Sequence, residues 1–234
     1  MNPQTIFEEA RAQLIRELSV LQVDLEPEPK LFAAASCRVA SLLLSISTLH
    51  EKNFALEAEI ILRSAMETLF WSGAIVRRPE FFQLVRRDEA HNRHVLAKQI
   101  VESLSEQLGY CPDDLILVRE TSNMSKVERR RLTPKEVADL ADLQEVYQIY
   151  CLLSTQAAHP SALSLRRHFA LNPSGVLLHL QLELNDTDWG RIFQYGCLVS
   201  CQAAELIGEF RNLKLEWPAE LMRQCDSSIG SRAI

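Results

Sequence analysis

The sequence predicts an all-α fold, a single antiparallel helical bundle with one short extended segment near 175–184. Long stretches repeat apolar residues at helical spacing, and several of them open on recognisable capping residues. Only seven glycines and nine prolines punctuate 234 residues, too few for a turn-rich β-sandwich or barrel. With 47% hydrophobic and 24% charged residues, the composition is that of a globular chain long enough to bury a sizeable core.

Asn2 is placed to cap the first helix and Pro3 to open it, with Ile6, Ala10, Leu14, Leu18 and Leu21 recurring along one face to about 22. The segment QVDLEPEPK, with Pro27 and Pro29, is the clearest break, and it sets an N-terminal helix and linker (1–29) apart from a bundle domain (30–225). Residues 30–51 read as a second helix rich in Ala, Ser and Leu. Asn53 is the expected start of a third, running to Pro79, and a fourth spans 80–108 before Gly109. A further helix is expected over 113–128, closing on Arg129, Arg130 and Arg131. Thr133-Pro134-Lys135-Glu136 has the pattern of a capping box, so one helix should run from there to about 158, before Pro160. A short helix is expected at 161–169. GVLLHLQLEL (175–184) alternates like a strand but has no evident partner. Asp186 or Thr187 should cap a last long helix to about 213, and Trp217-Pro218 leads into a helical tail expected to fray over 226–234.

Composition also removes function classes. A net charge of −6 and a pI near 5.6 supply no domain-wide basic field for nucleic acid or anionic membrane. No uninterrupted apolar run reaches about 18 residues, so no membrane association is expected. The opening MNPQTIFEEARAQ lacks a basic-then-apolar leader, so a cytoplasmic location is expected. The six cysteines form no CxxC pair, and Cys197 and Cys201, four apart, share a helix face as small buried hydrophobes do. Asp88-Glu89-Ala90-His91 spells a helicase box, but no phosphate-binding GK[ST] loop accompanies it. HExxH, paired ExxH and GxGxxG patterns are absent as well, so no metal and no cofactor is expected.

Two sets of polar residues interrupt this pattern. The third helix is apolar around most of its circumference, the signature of a buried element. Glu59, Arg63 and Glu67 nevertheless stand on it at i, i+4 and i+8. Arg63 is therefore expected to be largely buried and paired with Glu59 or Glu67, as a structural ion network or as the wall of a polar pocket, the third alternative being that this face is simply solvent-exposed. In the helix after Thr133, Tyr150 and Ser154 face one way, and His159 sits where that helix stops. An imidazole there is favoured as the cation and suits a carboxylate partner.

LRSAME (62–67) followed by YCLLSTQAAHP (150–160) resembles bacterial all-α proteins of unknown function that carry an R-S-x-x-E motif and a later Y-x-x-L-S-x-x-x-H-P motif. The resemblance spans roughly residues 50–170. It implies a bundle with a shared polar centre at Arg63, Glu67, Tyr150, Ser154 and His159, without an activity. More distantly, the chain resembles HEPN-like helical domains, some of which are metal-independent ribonucleases with an Arg followed, four to six residues on, by a His. Arg86–His91 and Arg87–His94 have that spacing. The family commonly has a polar residue right after the Arg, and only Arg87, followed by Asp88, meets that detail. The resemblance would give Arg87 the scissile phosphate and His94 the 2′-OH proton. On a helical wheel, however, Arg87, His91, His94 and Lys98 form a stripe opposite Val85, Leu96 and Ile100, the usual arrangement of a solvated face.

The leading expectation is an intracellular binding or regulatory module, capable of self-association, that receives a small polar ligand or a protein partner at the Arg–Glu–Tyr–Ser–His cluster. The rival expectation is a ribonuclease of toxin or phage-defence type, and only that rival implies RNA as a partner.

Overall fold

The computed structural model describes residues 2–23, 26–104, 130–158, 169–175, 177–180 and 186–230. Eight α-helices lie among them: α1 (Pro3–Ser19), α2 (Pro27–Glu51), α3 (Ala55–Arg77), α4 (Phe81–Leu104), α5 (Pro134–Leu140), α6 (Gln144–Leu153), α7 (Asp186–Phe210) and α8 (Trp217–Gly230). A π-helical turn (Ser154–Ala158) follows α6 directly. One antiparallel hairpin joins β1 (Phe169–Leu171) to β2 (Leu177–Leu180). The fold is all-α. The helix expected over 113–128 lies outside the described residues, as do Cys111, His159 and residues 161–168.

Helix starts follow the local chemistry. The Asn2 side chain accepts the Gln4 N–H at 3.0 Å with Pro3 in the first turn. At α5, Thr133 Oγ1 accepts the Glu136 N–H at 3.2 Å while Glu136 Oε2 accepts the Thr133 N–H at 2.9 Å, a complete capping box. That exchange, with Arg130 beside it, holds the Glu136 carboxyl below its usual range, the Thr133 backbone N–H being the largest cause.

Three helix stops share one device. Asn53, Asp142 and Asn212 all have positive φ, at 57°, 52° and 53°. Each sits just past a helix end whose next amide reaches back five residues: Phe54 N–H to Leu49 O (2.9 Å), Leu143 N–H to Ala138 O (3.0 Å) and Leu213 N–H to Gly208 O (2.8 Å). These are Schellman stops built without glycine, which Asn and Asp tolerate because their short polar side chains ease the left-handed conformation. Asn53 thus ends α2 rather than starting α3. The helix expected over 134–158 is broken into α5 and α6 at Asp142. Pro27 and Pro29 lie in the first turn of α2, so the break after α1 is shorter than the prolines suggested. The strand near 175–184 does have a partner: Phe169 pairs with Leu180, and Gly175 (φ 80°) turns the hairpin. α8 stays helical to Gly230, past the expected fraying at 226.

α3 is the central element, packed on α2, α5, α6, the π turn and α7. Leu62, Ala65, Met66, Leu69 and Phe70 are fully buried along it. Gly73 brings α3 against the α5–α6 turn, since a Cβ there would lie 2.9 Å from that of Ala141. α1 shares the same core, with Phe7 lying over Gly196 of α7 so closely that a Cβ would meet its ring at 2.7 Å. Cys197, Cys201 and Cys225 are buried where α7 packs on α8. By length and composition α2 is apolar enough to cross a membrane, with mean hydropathy 1.6 over its best window. Phe32, Val39, Leu43 and Ile46 nonetheless spend its inner face on the bundle core.

Candidate functional site

The ridge of Glu59, Arg63 and Glu67 does not act as one unit. Residues four apart on an α-helix are offset by roughly 40° about its axis, so eight residues turn the side chain by about 80°. Glu59 consequently faces α7, fully buried, and accepts Arg191 Nη2 at 3.1 Å. Arg63 and Glu67 face α6.

There four side chains close a network. Arg63 Nε donates to Ser154 Oγ at 2.8 Å, and Arg63 Nη2 donates both to Tyr150 Oη (2.7 Å) and to Glu67 Oε1 (3.1 Å). The Tyr150 hydroxyl donates in turn to Glu67 Oε1 at 2.6 Å. The guanidinium carbon stands 4.7 Å from the centre of the Tyr150 ring, which adds a cation–π contact. Burial, then donation to Glu67, pushes the Tyr150 phenol above its ordinary value and keeps it a donor. Phe70 meets the same ring edge-on and Tyr147 stacks on it, fixing its tilt. Arg63 retains 18% side-chain exposure and Glu67 retains 35%, so the arginine is less enclosed than its apolar helix suggested.

Ser154 opens the π turn that sequence periodicity gave no sign of. Its hydroxyl donates to the Tyr150 carbonyl (2.7 Å), and the Thr155 hydroxyl donates to the Leu152 carbonyl (2.8 Å). Adjacent hydroxyls thus satisfy carbonyls where the helix widens, and widened turns of this kind are frequent at functional sites. His159, one residue beyond the turn, lies outside the described residues.

The network borders a pocket of about 290 Å³ between α3, α4 and the start of α5. Glu67, Trp71, Asp88, Asn92 and Arg131 are among the polar and aromatic members of its wall. Asp88 is 8% exposed, and its two oxygens accept the Leu132 N–H (2.7 Å) and Asn92 Nδ2 (2.9 Å). It belongs to the tetrapeptide that imitates a helicase box, and here it pins the chain before α5 onto α4. Sequence reading missed Asp88, Trp71 and Arg131 because only tertiary packing joins them. An Asp and an Asn four apart on a helix was the one local trace.

The alternative pair fares differently. Arg87 is exposed and His94 half-buried, two turns apart on α4 and so roughly 10 Å along its axis. The His94 Nδ1 atom is buried and has no hydrogen-bond partner among the described residues. Leu96, expected on the core side, is 58% exposed. The wheel misleads because α4 meets the bundle through its first two turns, at Phe81 and Asp88. Among the described residues no group of three or more His, Cys, Asp or Glu could hold a metal ion.

Fold and site together define a class: an all-α bundle whose central helix shares an Arg–Glu–Tyr–Ser network with a helix that ends in a π turn. The chain belongs to a family of unknown function, DUF5677, whose model matches residues 30–176. That match contains the whole network and every residue of the adjoining pocket, and leaves α1, α7 and α8 outside. No curated protein and no solved structure matches the chain.

Proposed function

We propose that the protein is an intracellular binding or regulatory module that receives a polar ligand or partner at the Arg63–Glu67–Tyr150–Ser154 centre, with His159 completing it. One observation carries this reading. Glu67 Oε1 is fully used by Arg63 and Tyr150, while Oε2 makes no hydrogen bond among the described residues and the side chain borders the pocket. A network present only to join α3 to α6 has no need of a spare acceptor on a side chain that borders a cavity.

The test is a thermal-shift survey of the full chain with amino acids, amines, nucleotides and sugar phosphates. A ligand at a hundred times its Kd stabilises by about 2.7 kcal/mol, which raises the Tm by several degrees in a chain this size. The reading expects at least one such shift, lost in Glu67→Gln and in His159→Ala. A survey without shifts, or with shifts that survive both substitutions, removes it. RNA cleavage in the presence of a chelator, abolished by His94→Ala, would put the ribonuclease in its place.

A further inference from the structure

We infer that the pocket beside the network takes a small organic cation, an ammonium or guanidinium on a short apolar stem; this rests on the binding reading above and names its ligand class. Asp88 lies at the root of the inference. It is more than nine-tenths buried, yet its two hydrogen-bond partners, the Leu132 amide and the Asn92 carboxamide, are both neutral. Among the described residues no cation lies within ion-pair distance of it. A carboxylate offers about four lone-pair positions, so two neutral donors leave acceptor capacity unused on a buried side chain.

The surroundings repeat the same preference. Glu67, whose Oε2 accepts no hydrogen bond among the described residues, adds a second carboxylate to the wall and Trp71 an indole, a ring type whose face attracts cations; both also line a second pocket, with Arg38. Leu132, Pro134 and Val137 supply apolar wall for a short stem. The cation on the wall, Arg131, is an exposed side chain of the rim rather than a partner of Asp88. A neighbouring surface pocket makes the contrast clear: there Glu136 is already paired with Arg130 at 2.9 Å, so that carboxylate has its cation within the chain. A volume near 290 Å³ is at the small end of ligand sites and suits a molecule the size of a diamine.

Calorimetric titration of the full chain with putrescine and agmatine, against butane-1,4-diol and succinate of matched length, tests this. The cations should bind and the diol and succinate should not. Asp88→Asn keeps an oxygen for the Leu132 amide while removing the charge, and should weaken cation binding at least tenfold. Arg131→Glu, on an exposed rim residue that does not endanger folding, should strengthen it several-fold. Absence of cation binding, equal binding of the diol, or an Arg131→Glu variant that binds cations no better would overturn the inference. Succinate binding that Arg131→Glu abolishes would also overturn it, yet would leave the pocket a ligand site and the binding reading intact.

Discussion

Glu59 and Glu67 stand two turns apart on α3 and each holds an arginine, but the pairs are built in opposite senses. At Glu59 the carboxylate is sealed at 0% side-chain exposure and its arginine, on α7, keeps 33%. At Glu67 the carboxylate is the wetter partner, at 35% against 18% for Arg63. A sealed carboxylate has spent its charge on holding two helices together. A carboxylate left half open, with its arginine braced by a tyrosine and a serine, keeps an oxygen for something else. The difference arises from the turn of the helix alone, so identical residue types on one ridge acquire different tasks.

Arg191→Ala should break this contrast most severely, because it leaves a wholly buried carboxylate short of its cation. Such losses cost about 3–5 kcal/mol, and the midpoint of urea unfolding should fall accordingly. A loss below about 1 kcal/mol would show that Glu59 finds equal compensation elsewhere. Arg63→Ala should cost less, on the order of 1.5–3 kcal/mol, the range for hydrogen bonds to charged groups, since solvent reaches both partners. If it proved as damaging as Arg191→Ala, the second pair would be as structural as the first.

The smallest effect concerns pH. The Tyr150 phenol is held above its ordinary value of about 10 by burial and by its bond to Glu67. A folded-state value above the unfolded one means that this stabilisation is complete below the unfolded value and is lost as pH rises through the folded one. Tyr150→Phe should therefore flatten part of the stability decline above about pH 10 that the unaltered protein shows. Substitutions at the Glu59 pair should leave that alkaline limb unchanged, and parallel limbs for Tyr150→Phe and the unaltered chain would contradict the assignment.

Much of this was legible in the chain itself. Asn2-Pro3 and the Thr133–Glu136 box announce their helices because the chemistry of a helix start is local. The stops were less readable: a search for glycine passes over Asp142, whose left-handed turn is braced by a 2.9 Å ion pair with Arg78, the residue just past α3. The hairpin partner at Phe169 is three residues long, too short for a periodic signal. Within the network, the four-residue spacings of Arg63–Glu67 and Tyr150–Ser154 set each pair on one helix face, and motif order brought the pairs together. The pocket was invisible, because Asp88, Trp71 and Arg131 come from three separate segments and no spacing rule connects them.

The three tryptophans turn this geometry into an optical property of the molecule. Trp71 forms a wall of the pocket, whereas Trp189 Nε1 donates to Asn53 Oδ1 at 2.9 Å and so ties α7 to the stop of α2. The Trp217 Nε1 atom is buried without a hydrogen-bond partner among the described residues. Indole emission depends on the polarity around the ring and on what its N–H bonds, so the three report from different places without a label. Occupation of the pocket would change the Trp71 component alone. Loss of the α2–α3 turn would release Trp189 first, so the spectrum of the unaltered chain separates a molecule that binds from one that unfolds.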